Sequence, residues 1–85
     1  MKYYLYILKS KSVDKYYIGI SQNPDRRLEY HNTIEKGFTA RYRPWTIVFT
    51  KEFETKELAL QAERRLKKWK SKKLTEKIVS GELKL

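Results

Sequence analysis

The chain predicts a small α/β fold of the α+β kind: a three-stranded sheet flanked by helices, in the order β-β-α-β-α-α. Three observations lead there. Two tyrosine-rich alternating segments, residues 3–8 and 16–20, are separated by a short polar connection. A third apolar stretch follows at 45–53. Helix-start signals stand at Asn23-Pro24, Thr55 and Ser71.

Residues 3–8 are aromatic and β-branched, as strands are. Alternation sends Tyr3, Leu5 and Ile7 to one face and Tyr4, Tyr6 and Leu8 to the other. A polar turn around Ser12 and Asp14 leads into the second strand, which carries Tyr16, Ile18 and Ile20 on one face and Tyr17 and Gly19 on the opposite one. So short a connection favours an antiparallel hairpin, which lets Tyr6 and Tyr17 share a side of the sheet. Asn23 caps a helix from Pro24 to about Asn32, with proline at its first position. Residues 33–44 read as an irregular connection, and Trp45 to Phe53 as the third strand. Thr55 caps a helix to about Lys70 with the apolar stripe Leu58, Ala62, Leu66 and Trp69. Ser71 caps a last helix that Gly81 ends.

Eighty-five residues suffice for one domain with a small core. Lys and Arg number 20 against 10 Asp and Glu, a net charge of +10. That excess points to a polyanionic partner, nucleic acid first. No long basic amphipathic helix favours a membrane surface instead. The absence of cysteine excludes disulfides and thiolate zinc sites. The opening apolar run is too short for a signal peptide or a membrane span. The expected place is the cytoplasm or nucleoid.

Most strand tyrosines are packing residues, but Tyr6 and Tyr17 share their face with Gly19, which marks a close approach by a ligand or another group. Arg27 and His31 lie four residues apart on one helix face. A guanidinium binds phosphate with two donors, and an imidazole exchanges protons near neutrality. Glu63 borders the apolar stripe of the second long helix and is followed by Arg64, Arg65, Lys67 and Lys68 without an intervening acid. As an isolated acid it is either an ion-pair partner of those cations or a ligand for one Mg²⁺, an ion that keeps waters and binds substrate phosphate. In Thr39-Ala40-Arg41-Tyr42-Arg43-Pro44-Trp45, Arg41 and Arg43 suit phosphates and Trp45 suits base stacking, unless Trp45 simply begins the third strand in the core.

Together these positions resemble the GIY-YIG nuclease family over nearly the whole chain. Tyr4-Leu5-Tyr6 and Tyr17-Ile18-Gly19 stand for the two name-giving triplets, ten residues apart, with tyrosine in place of the first glycine. Arg27, His31 and Glu63 follow in the family's order. The size and the 39–45 stretch are most similar to small stand-alone bacterial members, which resemble the nuclease domains of excision-repair incision enzymes. The resemblance implies an endonuclease that hydrolyses DNA phosphodiester bonds, structure-selective or non-specific, in repair or processing. Its partner would be branched, nicked or single-stranded DNA. Glu63 would hold one Mg²⁺ (or Mn²⁺), and Tyr6, with Tyr17 hydrogen-bonded beside it, Arg27 and His31 would be catalytic. Arg41, Arg43, Trp45, Arg64, Lys67 and Lys68 would contact DNA. The alternative is a non-catalytic nucleic-acid-binding module of the same fold.

Overall fold

The computed structural model describes residues 2–85. Strands β1 (Tyr3–Ser10), β2 (Tyr16–Ser21) and β3 (Trp45–Phe53) form one antiparallel sheet with β1 in the centre, in the order β2-β1-β3. The helices are α1 (Pro24–Thr33), α2 (Phe38–Arg41), α3 (Lys56–Trp69) and α4 (Lys72–Ser80). The architecture is the expected three-stranded α+β arrangement with one addition, the single turn α2 inside the stretch expected to be irregular.

The sheet is covered on both faces. Leu5 and Ile7 of β1 pack with Ala62 and Leu66 of α3 and Ile78 of α4. On the other face Tyr6 and Leu8 pack with Trp45, Tyr17, Leu28 of α1 and Tyr42. Burial of β1 on both faces explains why Leu5 to Leu8 are all buried. β3 reaches both cores by a bulge. Ile7 faces Phe49 but Leu8 faces Ile47, so the register shifts by one residue at Val48. An extra residue inverts the side-chain alternation. Trp45 and Ile47 therefore join Tyr6 and Leu8, whereas Phe49 and Phe53 join Leu5 and Ile7.

The three expected caps are formed. Asn23 Oδ1 accepts from Arg26 N, Thr55 Oγ1 from Leu58 N and Ser71 Oγ from Leu74 N, each at 3.2 Å. Such caps satisfy helix-end donors and are worth about 1 kcal/mol apiece. β1 runs two residues past the expected Leu8 because the buried Ser10 hydroxyl organises the turn, accepting from Ser12 N and Val13 N and donating to Tyr42 O at 2.6 Å.

The apolar stripe of α3 needs correction. Ala59, Ala62 and Leu66 are the buried set, while Leu58 and Trp69 face solvent at 46% and 37% exposure. The contact face is the one with the small side chains, which admit close approach to the sheet. This phase leaves Glu63 at the border of the buried stripe, its side chain 18% exposed. Among the described residues no helix is long and apolar enough to cross a membrane.

Candidate active site

Tyr6 is the centre of a polar cluster enclosed between β1, β2, α1 and α2. Its Cα partner across the β1–β2 ladder is Gly19, and the phenol lies over that glycine. A Cβ built at Gly19 would stand 2.6 Å from Tyr6 Oη and 2.7 Å from Cζ. The close approach anticipated at Gly19 is thus made by Tyr6 itself, and any side chain there would drive into its ring. Tyr6 Oη lies 3.0 Å from His31 Nε2, and His31 Nδ1 lies 3.1 Å from Thr39 Oγ1. All three residues are buried. Tyr17 shares this side of the sheet, its ring centroid 6.4 Å from that of Tyr6 and 4.7 Å from that of His31. It is only half-buried. The anticipated hydrogen bond between the two tyrosines is absent: the hydroxyl of Tyr6 bonds to His31 instead.

Two charged groups act on that hydroxyl. Burial pushes the Tyr6 phenol above its ordinary value, and the nearby Arg27 guanidinium opposes this by favouring the phenolate. The charge of the Glu63 carboxylate on α3 is also felt at Tyr6 and raises it further, the weakest of these influences. Arg27 is held over the Tyr30 ring, 4.4 Å from its centroid, which orients the guanidinium along the face of α1. Tyr6 of β1, Tyr17 of β2 and His31 of α1 thus lie together, and the charges of Arg27 and Glu63 are felt at the Tyr6 hydroxyl. Glu63 also pairs with Lys67 at 3.5 Å, one turn along the helix.

Among the described residues no three His, Asp or Glu side chains cluster as a multi-carboxylate cage. The single, largely buried carboxylate of Glu63 is a sparse, hard-oxygen donor set. It fits a divalent ion that retains most of its waters and completes its shell from substrate oxygens.

His31 is held below its ordinary value of 6.5, first by burial, then by the Arg27 cation, with Glu35 opposing and Arg43 adding to the fall. It is consequently neutral near pH 7, with one ring nitrogen a donor and the other an acceptor. The sign of the linkage is fixed by this direction. As pH falls below 6.5 the unfolded chain protonates at this position while the folded one does not, so stability is lost from 6.5 downward. His31 is the single histidine, and the carboxylates with lowered values, Asp14, Glu35 and Glu52, titrate below that window. Urea denaturation between pH 7 and pH 5 is expected to show this decline in the wild type and a flat profile in His31→Gln. Equal slopes in both would place the proton elsewhere.

The nucleic-acid contacts anticipated from 39–45 need two corrections. Trp45 is 2% exposed, with its indole Nε1–H donating to Thr39 O at 2.7 Å. A buried ring has no free face on which a base can stack. Arg43 turns inward, Nε donating to His31 O at 2.8 Å and Nη2 to Glu35 O. Its fork holds the end of α1 instead of reaching toward solvent. Arg41, Arg64, Lys67 and Lys68 are exposed. Two residues escaped the sequence reading. Thr39 anchors the histidine, and Phe38 is 47% exposed on α2 beside Tyr17. An isolated threonine eight residues after His31 carries no local signal. Phe38, an aromatic next to a glycine in a polar stretch, was the available hint.

Comparison with known proteins agrees with this fold. Residues 2–77 match the GIY-YIG catalytic domain. The chain is 44% identical over 68 residues to the structure-specific endonuclease subunit SLX1 of Phaeosphaeria nodorum, covering 72% of this chain and 18% of that protein. It thus spans under a fifth of the fungal relative's length. It is 34% identical over 65 residues to a UPF0213 protein of Limosilactobacillus reuteri, covering 73% of this chain and 67% of the relative. The solution structure of a UPF0213 protein from Bacillus halodurans superposes with a TM-score of 0.60 at 30% identity, over 94% of this chain and 84% of that one. With the family match running from the first strand into the last helix, the chain belongs to the GIY-YIG family.

Proposed function

We propose that this domain is a divalent-metal-dependent endonuclease that hydrolyses DNA phosphodiester bonds. The observation that carries the reading is the buried Tyr6 phenol, bonded to His31 and acted on by the charges of Arg27 and Glu63. Membership of a family defined by its catalytic domain, and the name of the fungal relative, support it.

Glu63 would hold one Mg²⁺ (or Mn²⁺), which when bound supplies positive charge to the phosphoryl oxygens. Arg27 adds a second cation and two-pronged hydrogen bonding to the same phosphate. Burial of Tyr6 favours the half-exposed Tyr17 as the phenol that meets the attacking water. This reverses the order in which the two tyrosines rank from sequence. Tyr17 would orient that water by hydrogen bonding without changing its own protonation, and Tyr6 Oη would take the water's proton as the proton already there moves to His31 Nε2, 3.0 Å away. The lowered value of His31 keeps that nitrogen free to accept near neutral pH. Thr39 holds Nδ1, so the imidazole stays aimed at Tyr6 during the transfer.

Exposed Arg41, Arg64, Lys67 and Lys68 would track the DNA backbone. The reading this basic surface supports is structure-selective or non-specific cutting, in repair or processing of branched or nicked DNA. Incubated with nicked, branched and single-stranded DNA, the protein is expected to release cut product with Mg²⁺ and none with excess EDTA. Cutting undiminished by EDTA removes the ion. Retention of DNA with no product on any form, with or without Mg²⁺, reduces the domain to a binding module.

A further inference from the structure

We propose that a groove along the open edge of β2 holds an unpaired DNA arm, with Phe38 stacking on one of its bases. β2 is an outer strand of the sheet, and a cavity of about 320 Å³ runs beside it between α2 and α3. Phe38 forms one wall, Ile18 and Leu66 line the apolar floor, and Lys15, Lys67 and Lys70 supply positive charge. Asp14 also lines it, but its carboxylate is already paired with Lys72.

The Phe38 ring is exposed yet firmly backed. It lies 5.0 Å from Tyr42 in an edge contact, 6.1 Å from Trp45, and at 29° to Tyr17 with 6.4 Å between centroids. An exposed, supported ring beside several lysines is the combination that binds single strands: cations follow the backbone and an aromatic face receives a base. A paired base has both faces covered by its neighbours in the stack, so the platform selects unpaired nucleotides. The cavity is of small-ligand size, room for a nucleotide and not for a duplex. The groove is also continuous with the candidate active site. Lys67 lies in it and pairs with Glu63, and Phe38 stacks on Tyr17. An arm lying there leaves its junction with the duplex beside the tyrosine pair.

The inference deepens the nuclease reading by naming a substrate feature, but its test needs no cutting. Binding of labelled oligothymidylate, of a duplex bearing a single-stranded arm, and of a nicked duplex without an arm is measured by fluorescence anisotropy in EDTA. Phe38→Leu keeps apolar volume and removes the aromatic face. It is expected to weaken the first two about tenfold and leave the third unchanged, whereas Phe38→Trp retains wild-type affinity. As a second arm, Lys70→Gln should lower the salt slope for oligothymidylate by about 0.7. Binding of the armed duplex by Phe38→Leu within twofold of wild type, an equal loss on the nicked duplex, or no oligothymidylate binding by the wild type at low salt would each overturn the groove. Absence of cleavage alone overturns the nuclease reading and leaves the groove standing. Intact cleavage with indifferent Phe38→Leu binding does the reverse.

Discussion

Glu63→Gln is expected to slow Mg²⁺-dependent cutting by about 10²-fold or more while leaving the melting temperature unchanged. The two roles open to this carboxylate separate cleanly in that pair of measurements. As a partner for Lys67 it makes one contact of 3.5 Å with an ammonium that is itself half exposed. Exposed pairs of this kind contribute at most about 1 kcal/mol, and often nothing measurable. Losing only the pair would leave both stability and cutting nearly intact. As the charge that faces phosphate and metal, it would instead be missed in the transition state alone. DNA binding in EDTA should hold or strengthen, since the variant removes a negative charge from a basic surface. Arg27→Ala makes the complementary test. It deletes the cation that offsets burial at Tyr6, so cutting should fall by a similar factor, and Arg27→Lys should restore part of it by charge without the planar fork. Wild-type cutting by Glu63→Gln would remove the carboxylate from the mechanism, whatever Arg27→Ala does.

Which parts of this molecule were legible beforehand follows from the range of the interactions involved. Caps at Asn23, Thr55 and Ser71 act over three residues, so a local pattern suffices to place α1, α3 and α4. The sharing of one face by Tyr6 and Tyr17 needs only strand alternation and a short turn. Arg27 and His31 are placed by helical spacing. The turn α2 has no such signal, because Gly37 offers no side-chain cap. What holds α2 is tertiary: Thr39 to the ring of His31, and Thr39 O to the indole of Trp45. The bulge at Val48 is equally silent in the pattern, since Ile47-Val48-Phe49 reads as an unbroken apolar run. Arg43 and Trp45 were misplaced for one reason. Composition says that arginine and tryptophan suit nucleic acid, and it cannot say which of them the fold consumes. Residue 38, not 45, is where the aromatic face is left open.

That reassignment gives Trp45→Ala a large and specific effect, on stability and not on recognition. Truncating a tryptophan in a packed core costs about 3–5 kcal/mol, against a total of about 5–15 kcal/mol for a domain. Trp45 begins β3 and joins three elements. Its backbone N–H donates to Asn32 Oδ1 at 2.7 Å, Asn32 Nδ2 returns a bond to its carbonyl, and its indole N–H holds α2 through Thr39 O. Its ring lies against the Tyr17 and Phe38 rings as well. Removal therefore loosens the backing of the site and the Thr39 anchor of His31 together. The variant that separates packing from DNA contact is Trp45→Phe, which keeps most of the apolar volume and abandons only the indole bond. It should be modestly destabilised in urea, by about 1 kcal/mol for the lost indole bond, since Thr39 O still accepts from Tyr42 N. Its affinity for oligothymidylate in EDTA should equal that of the wild type. A folded Trp45→Phe that bound tenfold more weakly would mean that the indole meets bases after all. The platform would then belong to Trp45 where Phe38→Leu binds the same oligonucleotide as tightly as the wild type does.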